Sequence, residues 1–542
     1  MSEELTDLDI ASAARVVRRR ATEVKAERTS RDWSLLGVAA GLIALVVAST
    51  LRPPFTGAQN RYLVHVMARL DGGPITTDRL VRSVDPAPVF SAIVRPLLNV
   101  ADTGLVLGTL WILAGAVFFG ALWSINGRHV GRNRVRLLLW TAVMGLLAGP
   151  SAQGLLENVW SGFDGFTSPL GLRSYLVPQT GVALAVLGSA IAVRRQRKLR
   201  DGALPLGVAM ILLAVVLGPS FAAGSIVLVL SLVSAEIWGR SKERAACVRS
   251  VARIVIVGIV LGGAAAALNR NAMSAFFGMS GDAAEILAPK HGLVPPFALL
   301  VVAALALGSV VGAGLLALYA EAEPERRVGR FFLCGGAIGG VLTLVTWLAG
   351  VPMLSLLAPW YSFAVLVPLA LSYLVGRLAH LLPSELDSSP AARVGLYGAA
   401  AVAIVLSVLL GAKSWAVADS ESFGVKYPKL LSALAEDRPA AVGLIPSALS
   451  DLRLAALVAV SGDKENSPIG SDEVLDWRRN NKLVDSAFGR PRDFCKQIAE
   501  SDFGWAILPV RVAAVAQQGC MADWRFTVAE DGLALAFAPT KP

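Results

Sequence analysis

The stretch QTGVALAVLGSAIAVRRQRKLRDGALPLGVAMILLAVVLG (residues 179–218) holds two apolar runs separated by a basic cluster. Apolar runs of this kind are candidates for helices that cross the hydrocarbon core of a membrane. Lys and Arg residues beside the ends of such helices are retained in the cytoplasm. The stretch therefore predicts two membrane helices joined by a connection that faces the cytoplasm.

The same alternation of apolar runs and basic clusters continues along most of the chain. Further clusters stand in every second segment between the runs: Arg128, Arg132, Arg134 and Arg136; Arg240, Lys242 and Arg244; Arg326, Arg327 and Arg330. Hydrophobic residues make up 55% of the 542 residues and charged residues 17%, with a mean hydropathy of +0.60. This profile is typical of a polytopic membrane protein. The net charge is +10, and the basic residues cluster beside the apolar runs. We therefore expect membrane lipids as partners and no nucleic acid.

Eleven apolar runs are predicted to cross the membrane as helices. They lie near residues 34–51, 103–124, 136–151, 179–194, 204–218, 222–238, 251–268, 295–319, 331–349, 355–376 and 394–412. Residues 1–32 are rich in Arg and mixed in charge, as in a cytoplasmic tail without a cleavable signal. Eleven crossings from a cytoplasmic N-terminus place residues 413–542 outside. The predicted organisation is a tail (1–32), a transmembrane domain (33–412) and an extracytoplasmic domain (413–542).

The C-terminal domain (residues 413–542) has the composition of a small soluble α/β domain. AAVGLIP, RLAALVAVSG and WAILPV are predicted to contain buried strands, and DEVLDWRRNNKLVDSAFG and PRDFCKQIAESD are predicted to be helices. Two of the four cysteines, Cys495 and Cys520, fall in this domain. A pair confined to the oxidising side of the membrane predicts a disulfide. The alternative is two unpaired buried thiols.

Three long segments are predicted to face outward: the first loop (52–102), the second loop (152–178) and the third loop (269–294). In the first loop, apolar residues recur at helical spacing over Arg61–Leu70 and Pro88–Leu98, which predicts two interfacial amphipathic helices. Asp85 stands just before the second of these. It suits an N-cap for a helix beginning at Pro86, and a carboxylate at the membrane surface also suits a general base.

The other outward loops supply further charged residues. The second loop contains Glu157, Asp164 and Arg173, and the third contains Lys290 and His291. Arg173 is a basic residue against the overall charge bias, suited either to a phosphate group or to snorkelling toward headgroups. Lys290 and His291 fit either an anionic-lipid site or a solvated pair. No histidines have paired metal-ligand spacing. Carboxylates could hold a divalent cation such as Mg²⁺ or Mn²⁺, but no feature requires one.

The order of these segments along the chain resembles that of a known family. A cytoplasmic N-terminus, one helix, a long outward loop with interfacial helices, many further helices and an outward α/β domain are similar to the polytopic GT-C glycosyltransferases. The segments that carry a local resemblance to bacterial membrane proteins of that type are PPFTGAQNRYLVHVMAR, SVDPAPVFSAIV, SPLGLRSYLVPQ and FGRPRDFC. The resemblance implies a protein of the bacterial cytoplasmic (inner) membrane.

The resemblance also implies an activity, which is transfer of a sugar from a polyprenyl-phosphate donor to a cell-envelope glycan or glycolipid, with inversion. It implies that Asp85 is the general base and that Arg173, with Lys290 and His291, contacts the donor phosphate. Residues implied to shape the substrate site are Asn60, Arg61, Tyr62, Asp71, Glu157 and Asp164. Two other functions are also considered: a transporter or flippase of lipid-linked glycan, and a non-catalytic membrane protein that binds envelope glycan.

Overall fold

The computed structural model describes most of the chain after residue 59. The described residues are 60–126, 134–148, 176–194, 202–240, 243–291, 296–381, 390–464, 466–498 and 503–539. The first predicted membrane run, 34–51, lies outside them. The described residues are mostly helical and form one small mixed sheet near the C-terminus.

Ten long helices correspond to the predicted runs from 103–124 onward. They are α4 (Thr103–Asn126), α5 (Arg134–Ala148), α6 (Leu176–Arg194), α7 (Ala203–Leu217), α8 (Ala222–Gly239), α9 (Arg244–Leu268), α12 (Pro296–Leu318), α13 (Glu323–Ala349), α15 (Phe363–Leu381) and α16 (Pro390–Ser420). The last of these continues beyond residue 412, where the sequence predicted its end.

Six described segments are long and apolar enough to cross a membrane. They are Thr103–Asn126, Pro219–Gly239, Arg244–Leu268, Glu323–Ala349, Pro352–Leu381 (which includes the short helix α14, Pro352–Leu357) and Tyr397–Val417. In α5, α6, α7 and α12 the apolar stretch found in the described residues is shorter, between 10 and 17 residues. The apolar helices are those of a membrane-embedded protein, and six of them support the predicted spans by length and composition.

Glycines allow neighbouring helices to approach closely in this bundle. A Cβ atom added at Gly188 of α6 would collide with the carbonyl oxygen of Gly207 in α7. A Cβ atom added at Gly207 would likewise collide with the carbonyl oxygen of Gly188. Gly314 of α12 and Gly329 of α13 form a similar contact. Because apolar side chains gain little from leaving lipid, membrane helices associate through such close backbone packing.

The first loop forms three helices beside the bundle: α1 (Asn60–Asp71), α2 (Arg79–Arg82) and α3 (Pro88–Leu98). The ranges of α1 and α3 confirm both predicted amphipathic helices. Apolar residues of α1 and α3, including Leu63, Val66 and Phe90, join the main core of the bundle. The polar residues between these helices are thereby held against the rest of the protein.

The third loop also folds into two helices, α10 (Arg270–Phe277) and α11 (Gly281–His291). Between them, the backbone N–H of Ser280 donates to Oγ of Ser471 in the C-terminal domain at 2.7 Å. Leu287 of α11 packs with Val474 in one buried cluster. The third loop is therefore held against the C-terminal domain.

The C-terminal domain contains a five-stranded sheet with the strand order β2-β1-β3-β5-β4. Its strands are β1 (Gly443–Leu444), β2 (Val460–Ser461), β3 (Trp505–Pro509), β4 (Arg525–Glu530) and β5 (Leu533–Phe537). β1 pairs in parallel with β2 and β3, whereas β3, β5 and β4 are antiparallel. The three predicted strand segments each contain a strand, although the first three residues of RLAALVAVSG belong to the short helix α19 (Leu452–Ala455).

Helices cover both faces of this sheet. Side chains alternate along a strand, so the apolar strand β3 places apolar side chains on both faces. Trp505 and Ile507 face a core that includes residues of α17 (Phe423–Lys426) and α18 (Pro428–Asp437). Ala506 and Leu508 face the core on the other side, which is covered by three further helices: α20 (Ser471–Gly489), α21 (Phe494–Ile498) and α22 (Val510–Gln517). The predicted disulfide between Cys495 and Cys520 is present, with their Cα atoms 5.3 Å apart.

Candidate functional site

The segment from Asp78 to Pro88 of the first loop carries the candidate site. Oδ1 of Asp85 accepts a hydrogen bond from the backbone N–H of Ala87 at 2.9 Å. This bond closes a turn before the helix: the N-cap of α3 is Ala87, and no side chain caps the helix. The predicted capping role of Asp85 and the predicted helix start at Pro86 are therefore both wrong. Ala87 has φ −143° and ψ 64°, so the chain is still non-helical there, and α3 begins at Pro88.

The second oxygen of the Asp85 carboxylate has no such partner. The residue is 8% exposed, and its Oδ2 accepts no hydrogen bond from the described residues. Nη2 of Arg69 lies 3.8 Å from Oδ2, which is within ion-pair range but beyond hydrogen-bond length. Buried carboxylate oxygens normally accept hydrogen bonds, so Oδ2 is an acceptor held available.

A cavity of about 420 Å³ opens beside this carboxylate. Arg69, Val84, Asp85 and Pro88 of the first loop line one side. The other side is lined by the end of α9 and the start of α10: Ala267, Leu268, Arg270 and Asn271. The cavity thus combines one carboxylate with two guanidinium groups, which suits a ligand that has both an anionic group and a hydroxyl.

Lipid-facing surface adjoins this cavity. Along α9, Ile256, Ile259 and Val260 are 59%, 70% and 62% exposed within the protein, and Leu268 at the cavity wall is 58% exposed. In a membrane-embedded helix such apolar side chains contact lipid. The exposed apolar side chains therefore belong to the same helix whose C-terminal end lines the cavity.

His65 is a further titratable residue close to Asp85, and its position was not predicted. Its side chain is buried, and its Nε2 has no hydrogen-bond partner among the described residues. Burial lowers the pKa of His65, while the charges of Asp85 and Asp78 act in the opposite direction and those of Arg69 and Arg61 reinforce the decrease. His65 is therefore neutral near pH 7 and does not balance the charge of Asp85.

The predicted shaping residues of the first loop occupy different environments. Asn60 is buried and donates from Nδ2 to Oδ1 of Asp451 in the C-terminal domain at 2.8 Å. Arg61 is near enough to His65 to affect its charge, and Tyr62 packs against the main core. Asp71 stabilises the turn after α1, where Oδ2 accepts the N–H of Gly73 at 3.2 Å.

The remaining predicted site residues belong to the second and third loops. Arg173, Glu157 and Asp164 lie outside the described residues, and their roles stay predictions. Lys290 and His291 form the C-terminal end of α11. The third loop also supplies a basic residue that was not predicted for the site: Arg270, the first residue of α10, lines the Asp85 cavity.

A second aspartate of the same segment, Asp78, joins the first loop to the C-terminal domain. Its Oδ1 caps α2 by accepting the N–H of Leu80 at 2.8 Å. Its Oδ2 accepts from Nε of Arg453 at 2.8 Å and from the N–H of Val460 at 2.9 Å. The other side of the Arg453 guanidinium binds Asp463, and all three side chains are almost fully buried. Burial alone lowers the pKa of Arg453, but the charges of Asp78 and Asp463 outweigh burial and raise it.

Among the described residues there is no group of three or more His, Cys, Asp or Glu side chains suited to hold a metal ion. The sequence matches no protein-family model, and no curated protein is significantly similar to it.

Proposed function

We propose that this protein is a membrane glycosyltransferase that moves a sugar from a polyprenyl-phosphate donor to a cell-envelope glycan or glycolipid, with Asp85 as the general base. The observation that carries the proposal is the buried Oδ2 of Asp85, which has no hydrogen-bond donor and lies 3.8 Å from Nη2 of Arg69, in a residue that lines a cavity together with Arg69 and Arg270. A base must reach the proton that it removes with a free lone pair.

The reaction is an inverting displacement. An acceptor hydroxyl donates its hydrogen bond to Oδ2 of Asp85 and attacks the anomeric carbon of the donor sugar. A new glycosidic C–O bond forms, the anomeric C–O bond to phosphate breaks, and the proton moves to Asp85. The polyprenyl phosphate leaves with the electron pair of that bond. Arg270, and Arg69 on the opposite wall, are positioned to stabilise its negative charge.

The exposed apolar face of α9 supports a lipid-linked donor. Its exposed apolar side chains continue to Leu268 at the cavity wall, so a polyprenyl tail can lie along α9 while its phosphate enters the cavity. Nucleotide sugars are cytoplasmic molecules, whereas a lipid-linked donor can be used on the outer side of the membrane.

The proposal retains the topology expected from the sequence, with eleven crossings, a GT-C-like transmembrane domain and an extracytoplasmic C-terminal domain in the bacterial cytoplasmic membrane. The disulfide between Cys495 and Cys520 supports an oxidising location for that domain. The first and third loops, which line the Asp85 cavity, then face the same side. In this topology the shorter apolar helices, such as α6 and α7, also cross.

The test is sugar transfer from synthetic polyprenyl-phosphate sugars to envelope glycan fragments by purified protein. Asp85→Asn keeps an oxygen that can accept the N–H of Ala87 but removes the basic carboxylate. We expect this variant to lose about 10²–10⁴-fold in rate. Asp102→Asn is the matched control, because Asp102 is an exposed aspartate that caps α4 in the same loop. Equal activity of folded Asp85→Asn and the wild type would overturn the proposal.

A further inference from the structure

A second cavity, of about 260 Å³, lies between the first loop and the C-terminal domain. Arg79, Leu80 and Arg82 of α2 form one wall. The C-terminal domain supplies the remainder, from β2, the segment that follows it, and α20. The residues of this second cavity are distinct from those that line the Asp85 cavity.

The floor of the second cavity is rigid and polar. Arg453 and Asp463 line it and belong to the buried ion network with Asp78. Asn466 and Asn481 hold Asp463 from two sides: Nδ2 of Asn466 donates to its carboxylate at 2.8 Å, and Nδ2 of Asn481 donates to its backbone carbonyl at 3.0 Å. A floor fixed by so many bonds is preorganised for a ligand.

Two acceptors at this floor are left over. Oδ1 of Asn466 and Oδ1 of Asn481 are buried and accept no hydrogen bond within the described part of the chain, and the two residues are only 1% and 5% exposed. Because their amide nitrogens already donate to Asp463, the amide orientation leaves these oxygens as acceptors. Buried acceptors of this kind require donors, and hydroxyl groups or water can supply them.

The charges that line the second cavity balance. Its cationic residues are Arg79, Arg82 and Arg453, and its acidic residues are Asp463, Glu473 and Asp476. Three positive and three negative charges leave no net preference for a phosphate or another anion. The balance favours a ligand that is neutral and has many hydrogen-bonding groups.

One aromatic ring completes the lining. Nε1 of Trp477 donates to the carbonyl of Asp463 at 2.6 Å, which fixes the ring plane, and the ring itself is half-buried at the cavity. An indole fixed by its N–H presents an apolar face beside polar groups. The apolar face of a sugar ring fits such a surface, while its hydroxyls bond to the surrounding amides and carboxylates.

We infer that the second cavity binds an uncharged segment of carbohydrate; that this segment belongs to the acceptor of the transfer reaction rests on the proposed function. The position agrees with this role. Arg82 lines the second cavity and Asp85 lines the first. Only two residues separate them in the chain, so their Cα atoms are at most about 11 Å apart. That is the span of roughly two sugar rings, and a chain held at Trp477 can extend toward Asp85.

Binding by the purified full-length protein in detergent micelles tests the inference. The probes are neutral linear hexasaccharides of glucose, mannose, galactose and arabinose, with hexagalacturonate as the anionic comparison. Asn480 also lines the cavity and offers a side-chain amide. We expect at least one neutral hexasaccharide to bind, and Trp477→Ala and Asn480→Ala each to raise its Kd about tenfold or more. Arg478→Ala is the matched control on α20, since Arg478 is exposed and does not line the cavity. Its Kd should stay within about twofold of the wild type.

Trp477→Phe checks that a loss of binding is not a loss of folding. It keeps a ring for stacking but removes the N–H bond to Asp463, so it should bind more tightly than Trp477→Ala at equal thermal stability. The inference is overturned if no neutral hexasaccharide binds, if hexagalacturonate is preferred, or if all variants bind alike.

The same measurement separates this inference from the proposed function. Asp85→Asn should bind the neutral hexasaccharide as tightly as the wild type, because Asp85 lies in the other cavity. If the wild type binds a hexasaccharide but transfers no sugar, the proposed transferase activity is wrong and carbohydrate binding in the second cavity is retained. If the wild type transfers sugar but its glycan affinity does not depend on Trp477, only the proposed binding in the second cavity is wrong.

Discussion

Asp78 and Asp85 stand seven residues apart in one segment, and both are buried, yet their carboxylates have opposite surroundings. Asp78 accepts hydrogen bonds from Leu80, Arg453 and Val460, so both of its oxygens are satisfied. Asp85 accepts one backbone bond through Oδ1 and has an arginine at ion-pair range, but its Oδ2 has no donor.

We propose that this difference separates a structural carboxylate, Asp78, from a catalytic one, Asp85. A carboxylate with every lone pair occupied by the protein holds two parts of the chain together and has nothing to offer a substrate. A carboxylate with one oxygen left over in a cavity is destabilised until a donor arrives. The proposed hydrogen-bond donor to Oδ2 of Asp85 is the hydroxyl group of the glycan or glycolipid that receives the sugar. Variants of the surrounding residues test this contrast between the two aspartates.

The largest effect on stability is expected from Arg453→Gln. The variant removes the cation between Asp78 and Asp463 and leaves two buried carboxylates without it, which costs about 3–5 kcal/mol. The thermal unfolding midpoint of the purified protein should fall, and the amide of Val460 should exchange faster with deuterium because its acceptor is Asp78.

Arg438→Gln is the matched control for that experiment. Arg438 also joins the C-terminal domain to the first loop, through Asp71 at 3.7 Å, but its side chain is 63% exposed. An exposed pair is worth about 0–1 kcal/mol. If the two variants lower the unfolding midpoint equally, Asp78 is not the carboxylate that joins the two regions.

A smaller effect is expected from Arg270→Gln, and it should appear in substrate use rather than in stability. Arg270 lines the same cavity as Asp85, and a hydrogen bond to a charged phosphate is worth about 1.5–3 kcal/mol. The kcat/KM for the polyprenyl-phosphate donor should fall about tenfold to a hundredfold. Arg253→Gln, on α9 but outside the cavity lining, is the control. Unchanged kinetics in Arg270→Gln would remove Arg270 from the phosphate site.

The smallest effect concerns His65. Its pKa in the folded protein lies below its usual value of 6.5, so the unfolded chain takes up a proton more readily than the folded one. Stability should therefore be unaffected by His65 above about pH 6.5 and should fall as the pH decreases below it, by up to about 1.4 kcal/mol per pH unit. His65→Gln should flatten this slope between pH 5 and 7, measured by thermal unfolding. The same slope in both proteins would show that His65 is not the buried neutral group.

Local sequence pattern was sufficient to predict many elements of the fold. The helices α1 and α3 follow from apolar residues at helical spacing, and the long apolar runs follow from their hydropathy. The antiparallel strands β4 and β5 were not predicted, although Asp531-Gly532 between them is a strong turn signal. Both residues have positive φ, as a two-residue hairpin turn of type I′ requires.

The candidate site was predictable only in part. Asp85 could be selected because it precedes a helix at the membrane surface. Arg61, His65 and Arg69 recur every four residues in α1, which places them on one helix face, so His65 could have been found from that spacing. The contact between Asp78 and Arg453 could not, because 375 residues separate the two. Nor does any local pattern bring Arg270 opposite Asp85, since that depends on how α9 packs.

The contrast between the two aspartates is tested most directly by the transfer rate of Asp85→Asn, measured at the same folded fraction as the wild type and beside Asp78→Asn. We predict that Asp85→Asn keeps the wild-type unfolding midpoint but transfers sugar about 10²–10⁴-fold more slowly. Asp78→Asn should lower the midpoint and, because Asp78 belongs to the ion network beneath the second cavity, raise the KM for the acceptor. At saturating acceptor its kcat per folded molecule should stay close to the wild-type value. If folded Asp85→Asn transfers sugar within about threefold of the wild type, Asp85 is not the base and the proposed mechanism is wrong.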